Sequence, residues 1–302
     1  MPLLPSMPLI RKTFCALFVA LVFFAAPAGA QTLVPDSKVR PIHMLVRTIW
    51  PMRAGEKVDC YLYLWDDEGP ISIDQMKTVQ GNKLHLLMLA PNFTDYYHAF
   101  PVPTGGEGEY RFSFQLEEKY PLRAWAVFTT AAGRQVVSSD LNSKTDTPDE
   151  LMPPQIIQTE TEDIIFTIHF SEQLRAGHPA DGTIYAIHKS THLPFTELEP
   201  ILKNFTYMAM FSSDYFTVSD AYPLGPAITD PSAHGGPAVK FHIEPQRAGY
   251  MRIIAEFAAR GQDFLVPFTV RVAPSEPPKH RKKDDDEEEP SPPPDQDKPA
   301  GF

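Results

Sequence analysis

The sequence has 302 residues, of which 27 are basic and 38 acidic, for a net charge of −11. Nucleic acids and anionic lipids bind clustered positive charge, so this acidic balance argues against either as the main partner. The two cysteines are Cys15 and Cys60. Because Cys15 falls in a segment expected to be removed, no intramolecular disulfide is predicted, and Cys60 is interpreted as a small buried strand residue.

The N-terminal segment has the three parts of a secretory signal peptide. Arg11 and Lys12 supply the positive start, Phe14–Ala26 is an apolar run, and Ala28–Ala30 is a small-residue cleavage site. Cleavage near Ala30 predicts a periplasmic or secreted protein. No later segment approaches the roughly 20 apolar residues that a membrane-spanning helix needs, so we expect no membrane insertion of the mature form.

The rest of the sequence repeats itself. Two segments recur at an offset of 122 residues and a third recurs at an offset of 129. The matching pairs are Arg53–Gly55 with Arg175–Gly177, His85–Pro101 with Tyr207–Pro223, and Leu122–Phe128 with Met251–Phe257. A change of offset is expected where one copy carries a longer loop. The pattern predicts two copies of one domain.

The repeat and the changes in composition set the domain boundaries. We assign a signal peptide to 1–30, the first copy to 39–141, a linker to 142–154, the second copy to 155–273 and a tail to 274–302. The linker is polar and has no apolar face to bury. The tail is rich in proline and charge, and it is predicted to be disordered because it cannot offset the entropy of ordering.

Both copies show the periodicity of β-strands. Apolar and aromatic residues alternate in Tyr110–Phe114 and Phe264–Val270, and turn residues follow at intervals of very roughly ten residues. Helical turns are expected only at 72–76 and 198–202. Short strands at this spacing predict an all-β protein of two tandem immunoglobulin-like antiparallel β-sandwiches.

Two histidines of the first copy flank a predicted hairpin turn. If the loop is centred between Pro91 and Asn92, His85 and His98 are directly opposite across the strands, with Cβ atoms roughly 5 Å apart. Such a pair could hold a copper or zinc ion. The alternative is a pair of histidines that form hydrogen bonds at a strand end. Met88 should point to the opposite sheet face, which leaves no obvious third ligand.

Several motifs resemble those of exported bacterial immunoglobulin-like domains. They are Arg-Ala-Gly early in each copy, Leu198–Pro200, His85-Leu86, His98–Pro101 and Ala255–Phe257. The chain is similar in these motifs to YtkA-like and FixH-like modules, a resemblance that implies copper or heavy-metal handling.

The resemblance also implies which positions would bind the metal. The family pattern, a His-Leu strand followed by His-x-His-Pro, places its three histidines at His85, His98 and Phe100. The second copy has Tyr207, Asp220 and Tyr222 at these places. Four of the six positions in this chain therefore lack a histidine.

The sequence contains no recognisable catalytic motif. Nucleophile elbows, zinc-protease motifs, paired-cysteine motifs and nucleotide-binding loops do not occur in it. We therefore expect a non-enzymatic binding or interaction protein of the cell envelope, without a cofactor, whose partner is an unidentified envelope protein. The alternative is a periplasmic copper or heavy-metal binding protein that uses His85 and His98. A third hypothesis is an enzyme with convergent carboxylates in a cleft between the copies.

Overall fold

The computed structural model describes residues 41–93, 95–117, 121–141 and 154–275. The predicted signal peptide, most of the predicted linker and nearly all of the predicted tail lie outside the described residues. The helices of the described part include none that is long and apolar enough to cross a membrane.

The described residues up to Leu141 form the first β-sandwich. Its strands are β1 His43–Thr48, β2 Lys57–Asp66, β3 Gly69–Pro70, β4 Leu84–Leu89, β5 Tyr96–Ala99, β6 Val102–Pro103, β7 Glu109–Gln115, β8 Leu122–Thr130 and β9 Gly133–Leu141, with a 3-10 helix at Ile73–Gln75. One sheet has the order β1-β2-β7-β6, with β3 beside β2, and the other has the order β5-β4-β8-β9. Every strand pair is antiparallel.

The second β-sandwich follows the same plan. Its strands are β10 Gln158–Glu160, β11 Ile164–Phe170, β12 Ala180–His188, β13 Leu198–Glu199, β14 Tyr207–Ser212, β15 Val218–Pro223, β16 Ala238–Ile243, β17 Gly249–Ala259 and β18 Gln262–Val272. One layer is β10-β11-β12-β16, and the other is β14-β17 with β13 and β18 also paired to β17. Strand β15 pairs with both β16 and β14, so the nine strands are hydrogen-bonded in one continuous order. The predicted fold class, two tandem antiparallel sandwiches, is confirmed.

In each sandwich, one segment of the chain crosses from one sheet to the other. In the second sandwich, β15 pairs with β14 near Asp220 and then with β16 from Ala221 to Pro223. In the first sandwich the same path is split, so that β5 pairs with β4 and β6 pairs with β7. Pro101 lies at the break, where its missing N–H removes one possible ladder hydrogen bond.

The core of each sandwich is made by the inward faces of its own two sheets. Leu62, Leu86 and Phe112 belong to the buried cluster of the first sandwich, and Phe166 and Phe257 belong to that of the second. A third buried cluster takes side chains from both sandwiches. The two sandwiches belong to one compact unit.

Of the two expected helical turns, the structure supports one. The 3-10 helix Ile73–Gln75 falls within 72–76. The expectation for 198–202 was wrong, because Leu198 and Glu199 pair with the end of β17 as strand β13. Pairing to a long neighbouring strand outweighs the weak local preference of two residues.

Candidate functional site

The two sandwiches meet through equivalent sheets. The cluster that they share is formed by Leu87, Leu89, Phe93, Tyr96, Trp125 and Val127 of the first sandwich and Tyr207, Ala209, Phe211, Tyr215, Val218 and Ile254 of the second. All are buried. Burying one large apolar side chain contributes roughly 1.5–3 kcal/mol, so these twelve buried residues together form a stabilising interface.

Equivalent residues of the two copies touch each other across this interface. His85 stacks on Tyr207, its counterpart at offset 122, with ring centroids 5.3 Å apart and planes 4° apart. Phe93 packs edge-on against its counterpart Tyr215 at 5.5 Å and 72°. Contacts between equivalent positions are typical of a two-fold arrangement, so the repeated domains associate much as two identical subunits would.

Hydrogen bonds to the loop after β14 fix the interface at one end. Arg123 is buried, pairs with Asp140 at 2.7 Å and donates to the backbone oxygen of Tyr215 at 3.0 Å. Trp125 Nε1 donates to the oxygen of Phe216 at 3.1 Å, and the Tyr215 hydroxyl donates to the oxygen of Leu89. A buried carbonyl that lost its donor would cost roughly 1–3 kcal/mol, so these bonds also specify the orientation.

The structure brings the two predicted histidines together, but in a different register. His98 pairs with Leu87 and Ala99 with Leu86, so His85 is a diagonal neighbour of His98 and does not lie directly opposite. The prediction of direct opposition was wrong because the hairpin loop is centred one residue later than Pro91-Asn92 suggested. Diagonal neighbours on one sheet face remain within reach of long side chains, and the two rings stack at 5.2 Å.

Four side chains form a hydrogen-bonded chain at the interface. His85 Nε2 lies 3.0 Å from the Val79 oxygen, and His85 Nδ1 lies 3.0 Å from His98 Nε2. His98 Nδ1 lies 2.8 Å from Glu256 Oε1, which also accepts from the Tyr96 hydroxyl at 2.7 Å. The chain therefore ties both histidines of the first sandwich to a carboxylate of the second.

Donor and acceptor rules fix the direction of one bond in this chain. The Val79 oxygen can only accept, so His85 Nε2 donates to it. In the bonds from His85 to His98 and from His98 to Glu256, the donor depends on the tautomer of each ring. A buried hydrogen-bonded chain that ends on a carboxylate thus joins the sandwiches.

The metal prediction concerns the facing nitrogens of the two histidines. The facing nitrogens of His85 and His98 could supply two ligands, whereas the described residues include no group of three or more His, Cys, Asp or Glu side chains placed to hold a metal ion. Phe100, at the third family position, packs against both rings at 5.5 and 4.5 Å. His43 stacks on Trp65 of the other sheet. Metal binding by the pair stays a prediction.

A second candidate site is the outer surface of sheet β1-β2-β7-β6 in the first sandwich. Tyr61, Tyr63 and Trp65 alternate along β2 on this surface, and the rings of Tyr61 and Tyr63 are 6.4 Å apart. Arg47 on β1 and Arg111 on β7 are the cross-strand neighbours of Tyr61. We call these five residues the aromatic face.

A groove of about 650 Å³ adjoins the aromatic face. Tyr61 and Arg111 line it together with Ile49 and Phe100, which are 41% and 38% exposed. Next to it, Trp50 is 75% exposed. Single exposed apolar residues are normal on a protein surface, but a contiguous group of large ones beside a groove is typical of an interaction site.

The corresponding surface of the second sandwich differs in composition. The row Arg47, Tyr61 and Arg111 is matched by His169, Thr183 and Lys240, which are likewise cross-strand neighbours. Trp65 is matched by Ile187 and Trp50 by Glu172. The repeat thus conserves the sheet but carries the tryptophans and both arginines only in the first copy.

A cleft of about 500 Å³ between the sandwiches is the third candidate. Four carboxylates line it, from Asp95, Glu117, Glu256 and Asp263, together with aromatic rings such as Tyr97. This is the kind of pocket that the enzyme hypothesis requires. Catalysis in this cleft stays a prediction.

One family model is similar to part of the chain. A model of a domain of unknown function, DUF8832, matches residues 159–274, which is the second sandwich and less than half of the chain. No curated protein matches the chain. The resemblance to YtkA-like and FixH-like modules therefore stays a prediction.

Solved structures overlap with the chain only loosely. Domains 4 and 5 of the S-layer protein SbsC cover 76% of this chain and 98% of their own length, at 10% identity and a TM-score of 0.21. The D00-D0 domain of intimin covers 74% and 99%, at 10% identity and a TM-score of 0.20. The native alpha-2-macroglobulin of E. coli covers 79% of this chain and 14% of its own, at 12% identity and a TM-score of 0.22. Such low scores carry no functional conclusion.

Proposed function

We propose that this chain is an exported, non-enzymatic binding protein of the bacterial cell envelope and that the aromatic face is its binding surface. The observation that carries the proposal is the aromatic face itself. Trp, Tyr and Arg are the residues that most often dominate binding energy at protein interfaces. Here they are gathered on one exposed sheet beside a groove.

The interface between the sandwiches supports this function. A sheet buried on both sides is held rigid, and β4 is buried at every position. The outer sheet of the first sandwich packs on that rigid layer, so little conformational entropy is lost when a partner binds it. In this proposal the second sandwich serves as a support for the first.

Site-directed photo-crosslinking tests the proposal. A photoreactive amino acid is placed at Val102, beside the groove, or at the exposed Lys240 of the second sandwich, and cells that export the protein are irradiated. We expect a discrete crosslinked species from position 102 that Tyr61→Ala removes, and none from position 240. Crosslinking at position 102 that survives Tyr61→Ala and Trp65→Ala would contradict the proposal.

A further inference from the structure

The aromatic face carries positive charge on an acidic protein, beside two carboxylates that have partners of their own: Asp59 pairs with Lys57, and Glu109 is hydrogen-bonded to Tyr63. Arg47 and Arg111 are both exposed, and no ion pair joins either to a described carboxylate. The other cations near the groove are already matched, Lys57 with Asp59 at 4.0 Å and Arg53 with Glu56 at 3.7 Å. Two unpaired guanidinium groups beside aromatic rings can make bidentate bonds to carboxylates.

From these contacts we infer that the partner of the aromatic face is a protein segment with two carboxylates. This inference rests on the proposed function and adds the chemistry of the partner. Trp65, Tyr63 and Tyr61 offer ring surface to apolar side chains, and Arg47 and Arg111 on either side of Tyr61 offer the charge.

The acidic balance of the chain favours a short acidic segment over a long polyanion. A nucleic acid or an acidic polysaccharide would extend beyond the two arginines and meet repulsion from the rest of the surface. A protein segment can place its carboxylates on the arginines and neutral residues elsewhere. The aromatic rings favour the same choice, because they bind apolar side chains between the carboxylates.

The register gives the spacing of the two carboxylates. Arg47 and Arg111 lie on β1 and β7, with Tyr61 of β2 between them. Neighbouring strands are about 4.8 Å apart, so the two arginines start roughly 10 Å apart. An extended segment advances about 3.3 Å per residue and only alternate side chains share a face, so carboxylates four residues apart, roughly 13 Å, lie within reach of both long arginine side chains. The segment crosses the strands with an apolar residue over Tyr61.

Selection from a phage-displayed library of random 12-residue peptides tests the inference. The probe is the library itself, and the bait is the immobilised full chain after export. We expect the enriched peptides to carry Asp or Glu four residues apart, with an aromatic or apolar residue midway between them that faces the same side. A synthetic peptide of the enriched sequence should bind Arg47→Gln/Arg111→Gln at least about tenfold more weakly, because each charge-assisted pair contributes to affinity.

The control is His169→Gln/Lys240→Gln, which changes the matching row of the second sandwich and should leave the peptide affinity unchanged. Circular dichroism verifies that every variant is folded. Peptides that need Tyr61 but bind the arginine variant normally would overturn the acidic partner and keep the proposed function. If no enriched peptide depends on Tyr61 or Trp65, both ideas fail. Tight binding of polygalacturonate through the arginines would replace the protein segment by a polyanion.

Discussion

The buried cysteine shows how packing controls the chemistry of a single residue. Cys60 is fully buried in the first core, which confirms its interpretation as a small strand residue. Burial raises the pKa of its thiol from 9.0 to about 12, and the nearby charge of Asp59 adds to the effect. The thiolate, which is the reactive form, is therefore almost absent at neutral pH in the folded protein.

We predict that Cys60 does not react with iodoacetamide at pH 8 until the protein unfolds. Because its pKa is raised on folding, the thiol contributes stability that is present below about pH 9 and is lost as the pH rises towards 12. Mass spectrometry after labelling with and without urea measures the effect. Rapid modification of the native protein would contradict it.

At the interface, Glu256 is the residue on which the hydrogen-bonded chain depends. We predict that Glu256→Gln lowers the free energy of unfolding by about 1–3 kcal/mol, because the buried ring of His98 loses its charged partner. Urea unfolding measures the loss. Glu172→Gln, at an exposed carboxylate of the same sandwich, is the control and should change stability by less than about 0.5 kcal/mol. Equal stability of both variants would refute the account.

A copper titration tests whether His85 and His98 bind metal. If their role is to join the sandwiches, titration with Cu(I) or Cu(II) should give the same binding for the wild type and for His85→Ala/His98→Ala. A stoichiometric copper site present only in the wild type would establish the metal prediction instead. Metal analysis of protein purified without chelators is the supporting measurement.

At the scale of strands, close packing explains why some positions accept no side chain. A Cβ on Gly182 of β12 would lie 2.3 Å from the ring of Phe241 on β16. We predict that Gly182→Ala costs about 1–3 kcal/mol, because the ring or the strand must move. Gly106→Ala is the control, since its Cβ would meet only the side chain of Glu109 at 3.4 Å. Thermal unfolding compares the two, and equal melting temperatures would show that the core adapts.

Strand patterns were enough to predict the fold class, but the interface between the sandwiches was missed. Alternation in Tyr110–Phe114 correctly indicated a strand with one buried face. The segments Leu84–Leu89 and Tyr207–Ser212 are instead apolar without alternation, and the structure buries every residue of both. Continuous apolar runs are typical of strands covered on both faces, so the signal for the interface was present in the sequence.

The hydrogen-bonded chain at the interface was only partly predictable, because its members are far apart in the sequence. Local sequence placed His85 and His98 near each other, because both belong to one hairpin. Glu256, by contrast, is 158 residues from His98, and only the packing of one sandwich on the other brings it to the ring. The aromatic face was also missed, because its residues come from three strands whose order cannot be read from alternation alone.

At the scale of the whole molecule, the two related sandwiches belong to one compact unit. Their inner sheets pack on each other, and the outer sheet of the first carries the aromatic face. Trp125→Ala should lower the free energy of unfolding by the roughly 3–5 kcal/mol that is typical of such a truncation. If the interface makes the two sandwiches one cooperative unit, the substitution should also uncouple their unfolding. We predict that it separates one unfolding transition into two, measured by native-state hydrogen exchange in peptides from each sandwich. Two transitions in the wild type would show that the interface does not couple the sandwiches, and a single transition in the variant would show that Trp125 is not needed for the coupling.

The most direct test of the binding role is hydroxyl-radical footprinting of the protein in intact cells and after purification. The side chains compared are Trp50 and Trp65 of the first sandwich and Tyr185 and Tyr250 of the second, all exposed in the isolated chain. We predict that Trp50 and Trp65 are protected in cells, whereas Tyr185 and Tyr250 are modified equally in both samples. Equal modification of all four, or protection confined to the second sandwich, would contradict the assignment of the binding surface.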